Sequence, residues 1–536
     1  MKKIKVTYLS LALALALTSC GTTKIATYNV DQLPVKKAKI TDDQLKRWSH
    51  LDVVTDTIPG MSVDKAYAEL LKDKKGTKVI VGIIDSGIDI EHPDLKDAIW
   101  TNTKEIAGNG IDDDKNGYID DIHGWNFLGD ITKELLEYER ILIDKSLVDE
   151  ATYQKAKAIN DKKVTEATQA RTQLESMLSA VNSADEAIKK ELKKEVYTLE
   201  DIEKITSTDA TLTQSKLIMQ QMFSFGLPIA DLKVEIKKEL ESSLATLNGD
   251  NLKQNYRKIL GDNPNDIKDT KYGNNNVIGP DKEEALHGTH VAGIVAQTRY
   301  NNIGGDGVAS NNVEIMALRA VPDGDEYDKD IALAIRYAVD NGAKVINGSF
   351  GKSFSPQKQW VYDAIKYAEQ KDVLFVHAAG NDAKNIDVED NFPNDSDDKK
   401  VEFADNFITI GALNFEYGDK IMANFSNFGA LNVDVFAPGV QIYATAPENT
   451  YRYLQGTSMA SPNAAGVAAL IRSYYPKLSA SEVKHILMNS GTTINREVQV
   501  GRNPGDKKPF STLSKSGKIV NAYTALQMAE KMSKKK

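Results

Sequence analysis

The sequence predicts an α/β protein built on a mainly parallel sheet and interrupted by a long, all-helical insertion. Two observations carry this. Short apolar, β-branched runs recur along the chain, and helical stretches of about 10–15 residues lie between several of them, as in strands joined by crossovers. Against that rhythm, the segment from Asp130 to Phe225 contains neither Gly nor Pro and is rich in Lys, Glu, Ala, Leu and Gln.

The first strand is read at Lys78–Ile84 (KVIVGII), a continuous apolar run of the kind buried on both faces of a parallel sheet. Val313–Leu318, Ala343–Ile346, Val373–Val376 and Phe407–Ile410 are similar. Asp330–Asn341 and Gln357–Gln370 read as helices, with Gly342 placed as a C-terminal cap of the first. Ser62–Leu71 reads as a short helix with Ser62 at its N-cap.

Residues 131–272 are expected to form the helical insertion, a hairpin or small bundle. Within it Ser183–Glu186 reads as a capping box, followed by Ile188, Leu192 and Val196 at steps of four. No sustained heptad supports a long coiled coil. The segment Asn274–Gly279 then returns the chain to a loop.

With 536 residues, 41% hydrophobic and 27% charged, the chain has the composition of a soluble globular protein large enough for one to three domains. A net charge of −9 argues against nucleic acid as a partner, because phosphate binding needs a basic face. At the N-terminus, Lys2, Lys3 and Lys5 precede the apolar run Val6–Leu17. At about twelve residues this run is too short to span a bilayer but suits a signal peptide. Leu17-Thr18-Ser19-Cys20 resembles the bacterial lipobox, which implies lipidation of Cys20 and anchoring in the bacterial cell envelope, on the periplasmic or surface side of an outer membrane. Cys20 is the only cysteine, so no internal disulfide is possible. The expected division is a signal peptide over 1–19, a polar tether over 20–50, a globular domain in two parts (51–130 and 273–530) around the insertion, and a basic tail over 531–536.

Three stretches carry the chemistry. Asp85 closes the first strand in Ile84-Asp85-Ser86-Gly87; His287 opens the helical stretch HGTHVAG; Ser458 opens another in GTSMASP. A serine hydroxyl becomes a useful nucleophile when an imidazole takes its proton, and a carboxylate fixes the tautomer of that imidazole. Ligands of parallel sheets gather at the carboxyl ends of strands, where Asp85 falls. A serine at a helix N-terminus presents neighbouring N–H groups to a developing oxyanion.

Together these stretches resemble the Asp, His and Ser motifs of the subtilisin family, in that family's order. The resemblance implies a subtilisin-like three-layer sandwich and a serine endopeptidase acting on proteins or peptides. Asp85 would be the orienting acid, His287 the base and Ser458 the nucleophile, with His290 a buried helix residue. In Ala378-Ala379-Gly380-Asn381, Asn381 matches the family's oxyanion donor. Asn347-Gly348-Ser349-Phe350-Gly351 resembles the strand that pairs with substrate and walls the primary pocket. Ser349, Phe350, Gly351, Ala378, Ala379 and Gly380 are thus candidate substrate-binding residues. An inactive scaffold or binding lipoprotein of the same fold is the alternative.

Asn109–Asp121 resembles an EF-hand loop, with Asp112, Asp114 and Asn116 at positions one, three and five and Gly117 at the turn. Tyr118 would offer its carbonyl, and Asp120 and Asp121 further carboxylates, to a structural calcium ion; His123 stands where the bidentate Glu belongs. Asp323, Asp325, Glu326 and Asp328 are read as exposed acids near the second edge of the cleft, favouring basic residues upstream of the cut. His377 reads as a packed structural histidine. Two departures from the family stand out. The span between Cys20 and the first globular segment is too short for a folding propeptide domain, and the insertion separates Asp85 from His287. That insertion is a candidate lid, exosite or docking arm for an unknown protein.

Overall fold

The computed structural model describes residues 39–536; Cys20 and the segments around it lie outside the described residues. The chain enters through α1 (Asp42–Arg47), where Thr41 and Gln44 form a reciprocal capping box. Trp48, 1% exposed, donates its indole N–H to the Val440 carbonyl at 2.9 Å. Arg47 pairs with Asp64 and Asp306. The stretch 41–50 is therefore part of the folded body, which corrects the tether expected over 20–50. Polar composition concealed the single indole that docks it.

The next helix, α2 (Val63–Ala66), runs on as a wider π turn to Leu71. Ser62 stands at its N-cap but does not cap it. Its backbone is left-handed (φ 56°), and its hydroxyl donates instead to Asp52 at 2.9 Å.

The main sheet contains β1 (Val79–Asp85), β2 (Gly124–Asn126), β3 (Val313–Arg319), β4 (Val345–Gly348), β5 (Leu374–Ala378), β6 (Phe407–Leu413) and β7 (Val435–Pro438). Two short segments, Lys518–Ile519 and Thr492–Thr493, extend it beyond β7. From there the order is β7-β6-β5-β4-β1-β3-β2, and every pairing in that run is parallel. The five strands expected from sequence are all present, four within two residues of the expected ends, the ordinary scatter of element boundaries, and β6 running three residues further. Because β3 lies on one side of β1 and β4 on the other, the winding reverses at β1. Such a switch opens a crevice at the carboxyl end of the strand, which is Asp85.

Between β2 and β3 lies the helical insertion: α3 (Glu137–Ile143), α4 (Glu150–Leu192), α5 (Leu199–Glu203), α6 (Ala210–Phe223) and α7 (Ile229–Leu247). It is a small bundle with its own apolar contacts. Ala184, Ile188, Tyr197, Ile202 and Met219 form one cluster, and Val181, Met222, Leu232 and Ile236 another. The Ser183 capping box is not a helix start, because α4 runs unbroken through it. Nothing in that stretch disfavours helix, so a local start signal is overridden by continuity. The helix ends instead at Lys193 in the left-handed conformation (φ 54°), which turns Val196 out to solvent.

After the insertion come α8 (Leu286–Ala296), α9 (Asp328–Asp340), α10 (Lys358–Gln370), α11 (Thr457–Tyr474), α12 (Ala480–Ser490) and α13 (Ala522–Ser533). Gly342 follows α9 with φ 87°, as a C-terminal cap requires. Side chains alternate across the sheet: Val81, Ile83, Val345, Leu374 and Val376 face the core shared with α8, α11, α12 and α13. Ile84, Ile346 and Phe375 face the core shared with α9 and α10. The result is the expected three-layer α/β sandwich, its strands buried on both faces.

Candidate active site

Asp85 ends β1 with 1% exposure. Its Oδ1 accepts the Ser86 amide at 2.8 Å and lies 2.7 Å from His287 Nδ1. The close approach of α8 depends on Gly288, where a Cβ would sit 2.1 Å from the Gly87 carbonyl and 3.1 Å from Asp85 Cβ. His287 keeps 39% of its side chain exposed, so the imidazole reaches solvent on the side away from Asp85. Desolvation lowers its pKa, but the Asp85 charge and hydrogen bond outweigh this and hold it above the usual 6.5. An imidazole held through Nδ1 presents Nε2 as the available base.

Ser458 is the second residue of α11. Its Oγ donates to the Ser349 carbonyl at 3.1 Å, and Ser349 Oγ donates back to the Ser458 carbonyl at 2.8 Å. The candidate nucleophile is thus locked to one candidate substrate wall. Asn381 is held from the same helix: its Oδ1 accepts the Thr457 amide at 2.8 Å and hydroxyl at 3.0 Å. With Oδ1 occupied twice, the Asn381 NH₂ is left to donate. A Cβ placed on Gly456 would stand 3.5 Å from Asn381 Nδ2 and 3.5 Å from the Ser458 amide nitrogen, so both donors border one space that glycine leaves open.

The other candidate substrate residues divide. Ala379 donates to Ile410 and accepts from Asn427; Gly380 donates to Thr457 Oγ1 at 3.0 Å and accepts from the Asn427 amide. Their backbone groups hold the loop in place. The Phe350 carbonyl accepts from His377 Nε2 at 2.9 Å, whereas Gly351 is exposed. His377 is fully buried, and desolvation brings its pKa down to about 4, as suits a structural histidine. His290 donates from Nε2 to the carbonyls of Ile442 and Arg452, both at 3.0 Å, and is likewise structural. Asn427 went unnoticed in the sequence. It is 1% exposed, its Oδ1 accepts the Asp382 and Lys384 amides, and it fixes the loop bearing Asn381. A lone Asn in Phe425–Gly429 carries no local signal of that role.

The acidic loop is rearranged relative to the EF-hand reading. Carboxylate oxygens of Glu105, Asp112 and Asp114 lie within 4.8 Å of one another. Asp120 is turned away, accepting the amides of Gly108, Asn109 and Gly110. Asp121 is buried on Asn102, Asn116 and Tyr337. Asn116 Oδ1 accepts the Tyr118 amide, and the Tyr118 ring packs on Trp125 and Tyr337. Of the expected ligands only Asp112 and Asp114 converge, and Glu105 joins them from outside the motif. The hydrogen-bond partners of these three are backbone amides and the Asn102 side chain, so hard oxygen donors face each other, a set that fits a calcium-sized cation.

The acids after β3 also differ from expectation. Glu326 and Asp328 are 2% and 4% exposed, and Asp325 is half-buried, its Oδ2 accepting the Glu137 amide at 2.7 Å. Asp328 contacts Lys352 at 3.0 Å. Only Asp323 is exposed, so the expected acidic surface for basic substrate residues does not form. Glu137, the partner of Asp325, and Lys352, the partner of Asp328, are distant in sequence.

Comparison with known proteins identifies the family. The subtilase family model matches residues 76–508. Subtilisin DY from Bacillus licheniformis is 38% identical over 40% of this chain and 74% of its own length. A thermophilic serine proteinase from Bacillus sp. (strain AK1) is 43% identical over 35% of this chain and 42% of its own. Subtilisin BL from Lederbergia lenta is 35% identical over 39% and 71%. On a family match across most of its length and on its likeness to these subtilisins, the chain belongs to the subtilase family of serine peptidases.

Proposed function

We propose that Asp85, His287 and Ser458 are the catalytic triad of an endopeptidase and that Asn381, with the Ser458 amide, stabilises the oxyanion. The observation that carries this is the 2.7 Å Asp85–His287 contact at the end of β1, the strand paired with β4, together with Ser349 just beyond β4 holding Ser458 Oγ and two donors facing one open space over Gly456. Ser458 Oγ attacks the scissile carbonyl carbon as His287 Nε2 takes its proton, and the carbonyl π electrons move to the oxygen held by Asn381. Collapse expels the amine, which leaves with the proton from His287. Water, deprotonated by the same imidazole, then hydrolyses the acyl-enzyme. Asp85 fixes the Nδ1–H tautomer throughout.

A fluorophosphonate probe tests the reading. The protein should be labelled and should cleave peptide substrates, and Ser458→Ala should do neither; an unlabelled, folded protein overturns it.

The reading includes two further elements. Glu105, Asp112 and Asp114 would hold a structural calcium ion that neutralises their mutual repulsion and ties the loop together. Lipidation at Cys20 would tether the enzyme to the cell envelope; no helix among the described residues is long and apolar enough to cross a membrane. Detergent-phase partitioning of the protein and of Cys20→Ala tests the anchor: equal partitioning would sink it.

A further inference from the structure

We propose that Arg140 and Glu137, at the root of the helical insertion, are positioning residues that hold both walls of the substrate cleft, so that the insertion sets how the upstream part of a peptide is bound. This rests on the reading that the Ser349–Gly351 segment after β4 and the segment after β3 flank the substrate.

The segment after β3 is fastened to the insertion residue by residue. Asp323 donates to the Thr132 carbonyl at 2.8 Å and accepts the Glu134 amide at 2.9 Å. A Cβ on Gly324 would lie 2.1 Å from the Glu134 carbonyl, so the two chains touch at backbone distance. Asp325 takes the Glu137 amide, and Arg140 donates to the carbonyls of Asp325 (2.9 Å) and Glu326 (3.1 Å). The Arg140 guanidinium also stacks on Tyr327, 3.9 Å from the ring centre.

The opposite wall reaches the same point. Lys352 directly follows Gly351, and its Nζ donates to Glu137 Oε2 at 2.6 Å and to the Glu326 carbonyl at 2.7 Å. Glu137 thus receives Arg140 from its own helix and Lys352 from the far wall. Glu137, Arg140 and Lys352 are all buried. Glu137 shows the strength of this pairing: burial raises its pKa, yet the two cations bring it down to about 2. Phe354, two residues beyond Lys352, packs on Tyr138 and Ile141 of α3. A buried, fully paired ionic node of this kind admits one arrangement of the segments it joins. The spacing and orientation of the two walls are therefore set by side chains on the insertion.

The test compares peptide anilides of one and of four residues that share the residue at the cut. Arg140→Met should raise KM for the four-residue substrate by about tenfold, within the roughly hundredfold that a 1 Å misplacement can cost. kcat should be spared, and kcat/KM for the one-residue substrate should change less than about twofold, since proximity is lost only upstream. Arg140→Lys, which keeps the charge, should recover part of the loss. Should Arg140→Met fail to fold, Asp325→Ala removes a single half-buried contact with the insertion and should show the same length dependence on a smaller scale. Equal effects on both substrates, or no effect in a variant with an unchanged melting profile, would overturn the proposal while leaving the peptidase reading intact. A wild type that cleaves neither substrate and resists the fluorophosphonate would overturn both.

Discussion

Replacing Asp85 with Asn isolates what the carboxylate does for His287. With the two side chains 2.7 Å apart and Asp85 almost wholly buried, the charge centres of carboxylate and imidazolium stand about 4 Å apart. At an effective dielectric constant of about 20 that is worth about 4 kcal/mol, or roughly a thousandfold in rate once the imidazolium forms in the transition state. An Asn amide donating to Nδ1 would also drive the proton to Nε2, leaving no base for Ser458 and extending the loss toward about 10⁴. The assay is kcat/KM for a peptide anilide from about pH 5 to about pH 9. In the wild type His287 must be neutral to act, and its pKa is held above 6.5, so activity rises as pH passes that raised value. In Asp85→Asn the acid limb should move to lower pH. The linkage has a matching sign: stability from the Asp85–His287 pair is complete below the unfolded value near 6.5 and is lost as pH rises through the higher folded value. A folded Asp85→Asn with kcat within tenfold of wild type, or an unmoved acid limb, would refute this account.

Asn381→Ala should lower kcat by about 10²–10³ with little change in KM, because the donor acts on charge that develops only in the transition state; steady-state kinetics check this, and a comparable rise in KM would count against it. Gly288→Ala should destabilise by about 1–3 kcal/mol, the range for overpacking, since the new methyl must displace the Gly87 carbonyl, as denaturant titration would report. Chelation should lower the melting temperature of the wild type, and Glu105→Gln should shrink that shift; a chelator-insensitive melt would argue against the cation site.

Much of the candidate site could be proposed from the sequence because its pieces are local. Asp85, His287, Ser458 and Asn381 each sit at the junction of a strand or helix with a loop, where the flanking residues carry their own signals. The two walls could be named but not described. Glu326 and Asp328 read as surface acids because Arg140 and Lys352, which bury them, belong to other parts of the chain. Glu105 was missed for a related reason: it precedes the loop motif and joins it only when Asp114 and Asp120 donate their amides to it. Asp120 illustrates the reverse, a motif position whose left-handed backbone (φ 54°) accompanies a carboxylate spent on a turn. Trp48 was hidden by its polar neighbours. Ser183 was misleading, since a capping box has meaning only where a helix must begin.

The placement of the insertion between β2 and β3 also bears on how the molecule forms. β1 cannot find its central partner β3 until more than half the chain has been made, and such distant pairing is slow. The intervening helices contact mainly one another and can fold as they emerge, while the Arg140 and Arg257 contacts draw both ends of the segment to α9 and its approach. A preformed bundle shortens the effective loop between β1 and β3 and so lowers the entropy lost on closing it. Ser458 arrives later still, on a helix packed against β4, β5 and β6. The proposed triad is therefore completed only after β1–β7 and the whole insertion have been made.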